Sequence, residues 1–542
     1  MKKRYITLVA VFFCLGFLAF GAFAPKAQAV SPPPDGDYPG GNTAEGGSAL
    51  LSETTGFYNT AVGVYSLLSL TDGNFNTGVG AGTLLVNTAN SNTATGAGAL
   101  LSNTTGANNT ATGTFALFSN TIGSENTAIG DSALLNNITG VDNTATGFRA
   151  LMSNTSVENT ANGAFALQNN TIGSDNTAVG SAALLLNTEG SSNNAVGASA
   201  LFANTVGNDN TAIGVEALFS NTSGSQNTAT GSGALLSNMT GSINTALGYQ
   251  TLLSNIDGTA NTAAGYQALQ SNTGGLGNTA LGAAALNHNT IGNENIALGF
   301  NALVSNIDGD NNTAIGSNAA GNSNGDFNVA IGTAALSSAN TTGSGNIALG
   351  HLAGTGVTSA SNVICIGSLV GGANTSNSCY IGNIFGESID PATATIVGVD
   401  ANNKLGTVVS SRRFKEDIQP MDKASEAILA LKPVTFHYKS DSKATPQFGL
   451  IAEEVAEVNA NLVVRDKNGE ILTVHYDQVN AMLLNEFLKE HRAFLEEQNK
   501  VQKLEAALAA VNARLKEQEE KMEKVSAKVE TSTVAMQVTR IP

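Results

Sequence analysis

Basic residues are almost absent from the first 400 positions of this 542-residue chain. Between positions 30 and 400 there are 21 Asp and Glu but one basic residue, Arg149. Phosphate groups are bound by clustered Lys and Arg, so this part excludes nucleic acid as a partner. From position 401 onward 21 acidic and 20 basic residues are mixed, which marks a second, unlike region.

Proline is absent between Pro39 and Pro391. Proline cannot donate a backbone N–H, so its absence is what an unbroken strand ladder requires. After the first 29 residues, no stretch is apolar and long enough to span a bilayer. Nothing like four amphipathic strands follows residue 531 either, so we expect neither a membrane barrel nor a stable membrane anchor.

Cysteine is scarce: the chain has Cys14, Cys365 and Cys379. Cys365 stands two residues before Gly367, and Cys379 stands three residues before Gly382. In neighbouring strands this offset points the two side chains to opposite faces. We predict packed thiols, and a disulfide, which export permits, stays open as the alternative.

The N-terminus has the pattern of a secretion signal. Three basic residues precede an apolar stretch over 6–23, and Ala27-Gln28-Ala29 provides a small-x-small cleavage site. We predict a signal peptide over 1–29, a mature chain that begins at Val30, a linker over 30–41, and a secreted or cell-surface location. An uncleaved membrane anchor is the alternative.

The dominant feature of the sequence is a repeat of about 17 residues. Asn stands four residues before most repeat glycines and Leu four residues after them. The repeat glycines are at positions 46, 63, 80, 96, 113, 130, 147, 163, 180, 197, 214, 231, 248, 265, 282, 299, 316, 332, 350 and 367. Units rich in Gly, Asn, Thr and Ser form helices poorly, and their short apolar runs favour strands between tight turns. We predict a mainly β fold, with a β-solenoid of about 20 coils over 42–382, glycines at its corners and asparagine amides paired from coil to coil.

The repeats resemble the heads of YadA-like trimeric adhesins, whose units read Asn-x-x-Ala-x-Gly-x-x-Ala. Here the pattern is carried, for instance, by Asn210-Thr211-Ala212-Ile213-Gly214 with Ala217. The units of that family are usually shorter. The favoured function of the repeats is a passive spacer or adhesive shaft, whose surface ligand or glycan is not identified. Ice binding by the aligned threonines is an alternative, and no calcium-binding nonapeptide recurs, so we predict no metal and no cofactor.

Charge returns after the repeats. We predict a strand-rich neck over 383–409, a small α+β domain over 410–490 and a coiled coil over 484–530. Within the small domain the pattern predicts a helix at 423–431, a strand at 434–439, strand into helix over 449–458, and strands near 462–465 and 471–475. Residues three and four apart predict the coiled-coil seam, in which Gln518 is the one polar member: Val501, Leu504, Leu508, Val511, Leu515, Gln518, Met522 and Val525.

Three segments here resemble the intramolecular chaperone auto-processing domain of phage endosialidase tailspikes. They are Ser410-Ser411-Arg412-Arg413-Phe414-Lys415-Glu416-Asp417-Ile418, Phe448-Gly449-Leu450-Ile451-Ala452-Glu453-Glu454-Val455 and Val474-His475-Tyr476-Asp477. The resemblance implies a homotrimer and a serine peptidase that cuts only itself, here between Val409 and Ser410. It also implies Ser410 as nucleophile and Lys415 as base. The family usually has Asp after the nucleophile, so Ser411 is a rival.

The chemistry of the pair is reasonable without the resemblance, because a serine hydroxyl needs a base and a neutral lysine can serve as one. The spacing alone is a weak signal, since residues five apart align on neither a helix nor a strand. The simplest alternative for Lys415 is an exposed partner of Glu416 or Asp417. His437, His475 and Asp477 form a less favoured catalytic set, and the competing function is a structural surface fibre that trimerises without cutting.

Overall fold

The computed structural model describes residues 38–537 except for 339–341, 386, 391, 393, 401–403 and 467. The chain divides into a repeat unit, up to Glu387, and a C-terminal unit from Ser388 onward. The predicted signal peptide and most of the predicted linker lie outside the described residues. Among the described residues, no helix has the length and apolar character needed to cross a membrane.

The repeat unit is a β-solenoid with one three-residue strand per coil. Its strands β1–β21 are Thr43–Glu45, Thr60–Val62, Thr77–Val79, Thr93–Thr95, Thr110–Thr112, Thr127–Ile129, Thr144–Thr146, Thr160–Asn162, Thr177–Val179, Asn194–Val196, Thr211–Ile213, Thr228–Thr230, Thr245–Leu247, Thr262–Ala264, Thr279–Leu281, Ile296–Leu298, Thr313–Ile315, Val329–Ile331, Ile347–Leu349, Ile364–Ile366 and Cys379–Ile381. Each strand pairs in parallel with the equivalent strand of the next coil, as Thr211 does with Thr228. The sequence prediction of a 17-residue solenoid of about 20 coils is therefore confirmed.

Small apolar side chains fill the interior. The middle residue of a strand, such as Ala178, is fully buried, and so are the alanine and leucine that follow the corner, such as Ala183 and Leu184. The corner glycines have φ between +120° at Gly46 and +148° at Gly163. Only glycine adopts such a φ readily, which explains its strict spacing.

Two ladders of buried asparagines run along the solenoid. In the first, the Asn210 Nδ2 amide donates to Asn193 Oδ1 of the preceding coil at 3.1 Å. In the second, Asn221 Nδ2 donates to Asn204 Oδ1 at 2.8 Å. The carbonyl of Gly224 accepts from both Asn210 and Asn221, at 2.9 Å each. Pairing between equivalent amides satisfies polar groups that would be costly to bury alone, and it confirms the predicted amide pairing.

Cys365 and Cys379 lie in neighbouring strands of the last coils. Cys365 pairs with Tyr380 in the strand register and is buried, whereas Cys379 pairs with Ile364 and is exposed. Both thiols are free, because their side chains leave opposite faces of the sheet. The prediction of packed thiols is confirmed for Cys365 and wrong for Cys379, which is exposed. Burial raises the pKa of the Cys365 thiol.

The C-terminal unit begins with a hairpin in the predicted neck, Val397–Val399 paired with Leu405–Thr407. Two further antiparallel pairs follow, Val434–Phe436 with Gln447–Gly449 and Val463–Arg465 with Ile471–Val474. The helical segments are the 3₁₀ stretches Arg412–Phe414, Asp422–Ala430 and Ala460–Leu462 and the α-helices Ala452–Val458 and Tyr476–Gln537. A small core buries Val455, Leu462, Val463, Val474 and Met482.

The long C-terminal helix, Tyr476–Gln537, presents the predicted heptad seam to solvent in the single chain. Leu504 is 68% exposed and Leu508 is 61% exposed. An apolar seam of this size is typical of a helix that associates with other helices, so the coiled coil stays a prediction.

Candidate functional site

Ser410 and Lys415 lie together at the start of the C-terminal unit. The Lys415 Nζ donates a hydrogen bond to the Ser410 Oγ at 3.0 Å. The 3₁₀ turn Arg412–Phe414 produces this contact: the Phe414 N–H donates to the Ser411 carbonyl at 2.9 Å and the Lys415 N–H to the Arg412 carbonyl at 3.1 Å. This turn reverses the chain, so a five-residue spacing that fits neither a helix nor a strand still brings the two side chains into contact.

The rival serine has a different place in the turn. Ser411 is the residue that precedes the 3₁₀ turn, and its side chain makes no capping hydrogen bond. Lys415 contacts Ser410, the residue that would attack the bond before it. Of the ion pairs in the described part of the chain, none joins Lys415 to Glu416 or Asp417. The geometry thus favours the Ser410–Lys415 pair, while the catalytic roles stay a prediction.

The site is open to solvent in the single chain. Ser410, Ser411 and Lys415 are exposed, and the Val409 side chain before the predicted cut is 53% exposed. The Arg413 guanidinium lies 4.6 Å from the centre of the Phe414 ring. This cation–π contact joins two adjacent exposed side chains of the turn.

The histidine alternative finds weaker support. His475 Nδ1 lies 3.6 Å from Asp477 Oδ1, on exposed side chains at the start of the long helix. None of the ion pairs within the described residues includes His437. The structure therefore does not assemble the three residues into one charged set.

A buried polar cluster that the sequence did not reveal connects the segment 422–430 to the long helix. The Ser425 hydroxyl is fully buried, donates to the Glu486 carboxylate, and accepts from Asn485 Nδ2 at 2.7 Å and Lys489 Nζ at 3.3 Å. Lys489 Nζ also lies 2.7 Å from Glu486 Oε1 and 3.7 Å from Glu426 Oε1. Because Lys489 is held protonated beside these carboxylates, the cluster is a structural link and not a second nucleophile–base pair.

The cluster shifts the pKa values of Glu486 and Lys489 in opposite directions. The hydrogen bond from Lys489 holds the pKa of Glu486 below its usual value, and the same bond raises the pKa of Lys489. A carboxylate with a lowered folded-state pKa stabilises the fold above its unfolded pKa and loses that contribution as the pH falls through the folded value. The link between the segment 422–430 and the helix should therefore weaken in acid.

Ser425→Ala is expected to destabilise the C-terminal unit by about 0.5–1.5 kcal/mol, because the buried Ser425 hydroxyl no longer bonds to the partly exposed Glu486 and Asn485. Urea unfolding of the full chain, followed by helix circular dichroism, measures the loss. Ser440→Ala, at an exposed position, is the control and should change stability by less than about 0.5 kcal/mol. Equal stability of the two variants at neutral pH would show that the cluster contributes nothing.

Comparison with known proteins identifies one family in this region. The peptidase family described as chaperone of endosialidase matches residues 410–464, about a tenth of the chain. The match begins at Ser410 and includes Lys415 and Ser425. It does not extend to the repeats, so their resemblance to YadA-like heads stays a prediction. No curated protein and no solved structure matches the chain.

Proposed function

We propose that the chain is an exported homotrimeric fibre whose C-terminal intramolecular chaperone drives assembly and then cuts the chain between Val409 and Ser410. A match to the chaperone-of-endosialidase family behind a β-solenoid fits a trimeric protein of the tail-fibre kind. The observation that carries the cleavage is the 3.0 Å contact between Lys415 Nζ and Ser410 Oγ at the first residue of the family match.

The reaction follows from the position of Ser410 directly after the broken bond. Its hydroxyl oxygen attacks the Val409 carbonyl carbon through a five-membered ring, and neutral Lys415 takes the hydroxyl proton. The C–N bond then breaks, the amine of Ser410 gains a proton, and an ester joins Val409 to the Ser410 oxygen. Water hydrolyses the ester, which frees the Val409 carboxylate and restores the serine hydroxyl.

Assembly of several copies would exclude water from Lys415, which is exposed in the single chain. Lysine acts as a base only when neutral, and exclusion from water favours the neutral form. Several large apolar side chains are exposed in the single C-terminal unit, among them Phe414 at 54%, Phe448 at 81% and Leu472 at 67%. Their burial between copies of the chain would remove water around the turn that holds Lys415, which makes cleavage depend on correct assembly.

The full chain should yield two products, a fibre of residues 30–409 and a tail of residues 410–542. Ser410→Ala should leave one band, because the nucleophile is gone and little packing volume is lost. Denaturing gels with intact-mass measurement of both products test this, and the fibre mass also reads the predicted start at Val30. A single uncut band from the unsubstituted chain under every folding condition would favour the structural fibre that never cuts.

A further inference from the structure

The outer strand face of the solenoid, defined as the first and third residues of β1–β21, changes character along the chain. In the last seven strands, β15–β21, the third residue is always apolar: Leu281, Leu298, Ile315, Ile331, Leu349, Ile366 and Ile381. The first residue is apolar in four of these strands: Ile296, Val329, Ile347 and Ile364. Exposure reaches 40% at Ile296 and 47% at Ile381.

The same face is more polar in the first fourteen strands. Their first residue is threonine throughout, except for Asn194 in β10. Their third residue is apolar in eight strands but polar in the other six: Glu45, Thr95, Thr112, Thr146, Asn162 and Thr230. Threonine suits an exposed strand as well as isoleucine does, so folding of a coil does not require the change.

The interior does not account for the change either. The buried middle residue is alanine in β14 and β15 alike, as Ala263 and Ala280, and it stays alanine through Ala348 in β19. Since the inward side is constant while the outward side becomes apolar, the outward change points to a surface that is covered.

We propose that the outer strand face of β15–β21 is the surface through which the solenoids of neighbouring copies of this chain dock side by side. The inference rests on the self-association proposed above, and it names the part of the repeat unit that takes part. Docking would begin at this end because it is followed directly by the C-terminal unit.

The distribution of charge on the solenoid favours this face as the contact with a second copy. The repeat region is strongly acidic, so identical units repel one another over most of their surface. Apart from Glu45 in β1, the outer strand face carries no charged residue in any of the 21 strands. Acidic residues stand elsewhere in the coils, as the adjacent Glu158 and Asp175 do. Two copies can therefore approach along the outer strand face without bringing like charges together.

Periodicity also favours a second copy. Outward side chains recur once per coil, about every 4.8 Å, and an identical solenoid has the same spacing along its whole length. Two parallel copies joined at their C-terminal units would match coil for coil. The exposed stacked pair Tyr249 and Tyr266 lies outside the outer strand face and does not recur in every coil, so it forms a separate patch.

The size of the outer strand face of β15–β21 indicates how strongly two copies can associate through it. Seven strands offer fourteen outward positions, whereas a stable interface usually has about 20–30 residues a side. The face alone is thus too small to hold free copies together. Tethering by the C-terminal units would raise the effective concentration to about the millimolar range, at which a weak contact of this size forms.

Cys379 provides a direct probe, since it is an exposed first residue of β21 on this face. The test uses the full chain with Ser410→Ala, Cys14→Ser and Cys365→Ala, which leaves Cys379 as its cysteine. A short bismaleimide should join two copies through Cys379. Adding Ile347→Asp and Ile364→Asp should reduce this product roughly tenfold, because like charges would meet on the docked face.

The matched control places the same charges on the polar part of the face, as Thr127→Asp with Thr144→Asp, and should leave cross-linking unchanged. Native mass and circular dichroism are measured on every variant. A trimer in which Cys379 does not cross-link, or in which both aspartate pairs act alike, would overturn the docking surface while leaving the trimer intact. A monomeric starting protein would instead refute the self-association on which the inference rests.

Discussion

Lys415→Ala is expected to abolish the cut between Val409 and Ser410 while the chain still folds and assembles. The exposed lysine side chain contributes little packing, but its Nζ is the group in contact with the Ser410 hydroxyl. Lys415→Arg should not restore cleavage, because a guanidinium stays charged and cannot accept the proton. The loss should be complete on a denaturing gel, and native mass should match that of Ser410→Ala.

Ser411→Ala is the matched control, because it removes a hydroxyl one residue away on the same turn. It should still cut, with the tail beginning at Ser410. If Ser411→Ala blocks the cut and Ser410→Ala does not, the nucleophile is the second serine. Leu508→Pro should also reduce cleavage, because it breaks the exposed seam of the long helix whose association would exclude water from Lys415.

Gly231→Ala is expected to disrupt the solenoid locally and severely. Gly231 has φ +134°, and an added Cβ would lie 2.3 Å from the carbonyl oxygen of Gly248 in the next coil. The strain and the backbone clash together should cost more than about 3 kcal/mol. Hydrogen exchange of the full chain should show faster exchange in the coils around residue 231, and thermal unfolding should begin earlier.

Gly233→Ala, two residues along the same coil, is the control for this substitution. Its φ is +66°, and the nearest atom to an added Cβ is Leu253 Cδ1 at 3.5 Å. The equivalent position in another coil already holds Ala182, at φ +57°. Gly233→Ala should change stability by less than about 0.5 kcal/mol. Comparable damage from both alanines would mean that the corner geometry is not what demands glycine.

The regular part of the fold was largely readable from spacing. The asparagine four residues before most corners predicted a stacked amide, and the Asn210–Asn193 hydrogen bond has that form. The left-handed backbone conformation of the leucines could not be predicted from the spacing. Leu184 is buried with φ +52°, a region that bulky residues seldom occupy. Closure of the coil and the hydrogen bond from the Leu184 N–H to the Ala200 carbonyl hold it there, so tertiary contacts override local preference.

The candidate site was only partly readable. The resemblance pointed to Ser410 and Lys415, but the 3₁₀ turn that joins them has no clear signal in the residues 412–414. The cluster around Ser425 was missed because its partners stand about sixty residues further along the chain. Distant contacts of this kind depend on how the segment 422–430 packs on the long helix, which periodicity alone does not specify.

The sharing of one amide pattern by successive coils has an evolutionary consequence. Inside the solenoid, a coil meets its neighbours through the same strand, alanine, leucine and asparagine positions that most other coils present. Duplication or deletion of one repeat in the gene would therefore leave adjacent coils with matching alanine, leucine and asparagine positions. Asn328 and Asn346 are eighteen residues apart, yet Asn346 Nδ2 still donates a hydrogen bond to Asn328 Oδ1 at 3.0 Å. The ladder therefore tolerates a coil that is one residue longer. The length of the solenoid could therefore change by whole coils while its core pattern stays the same.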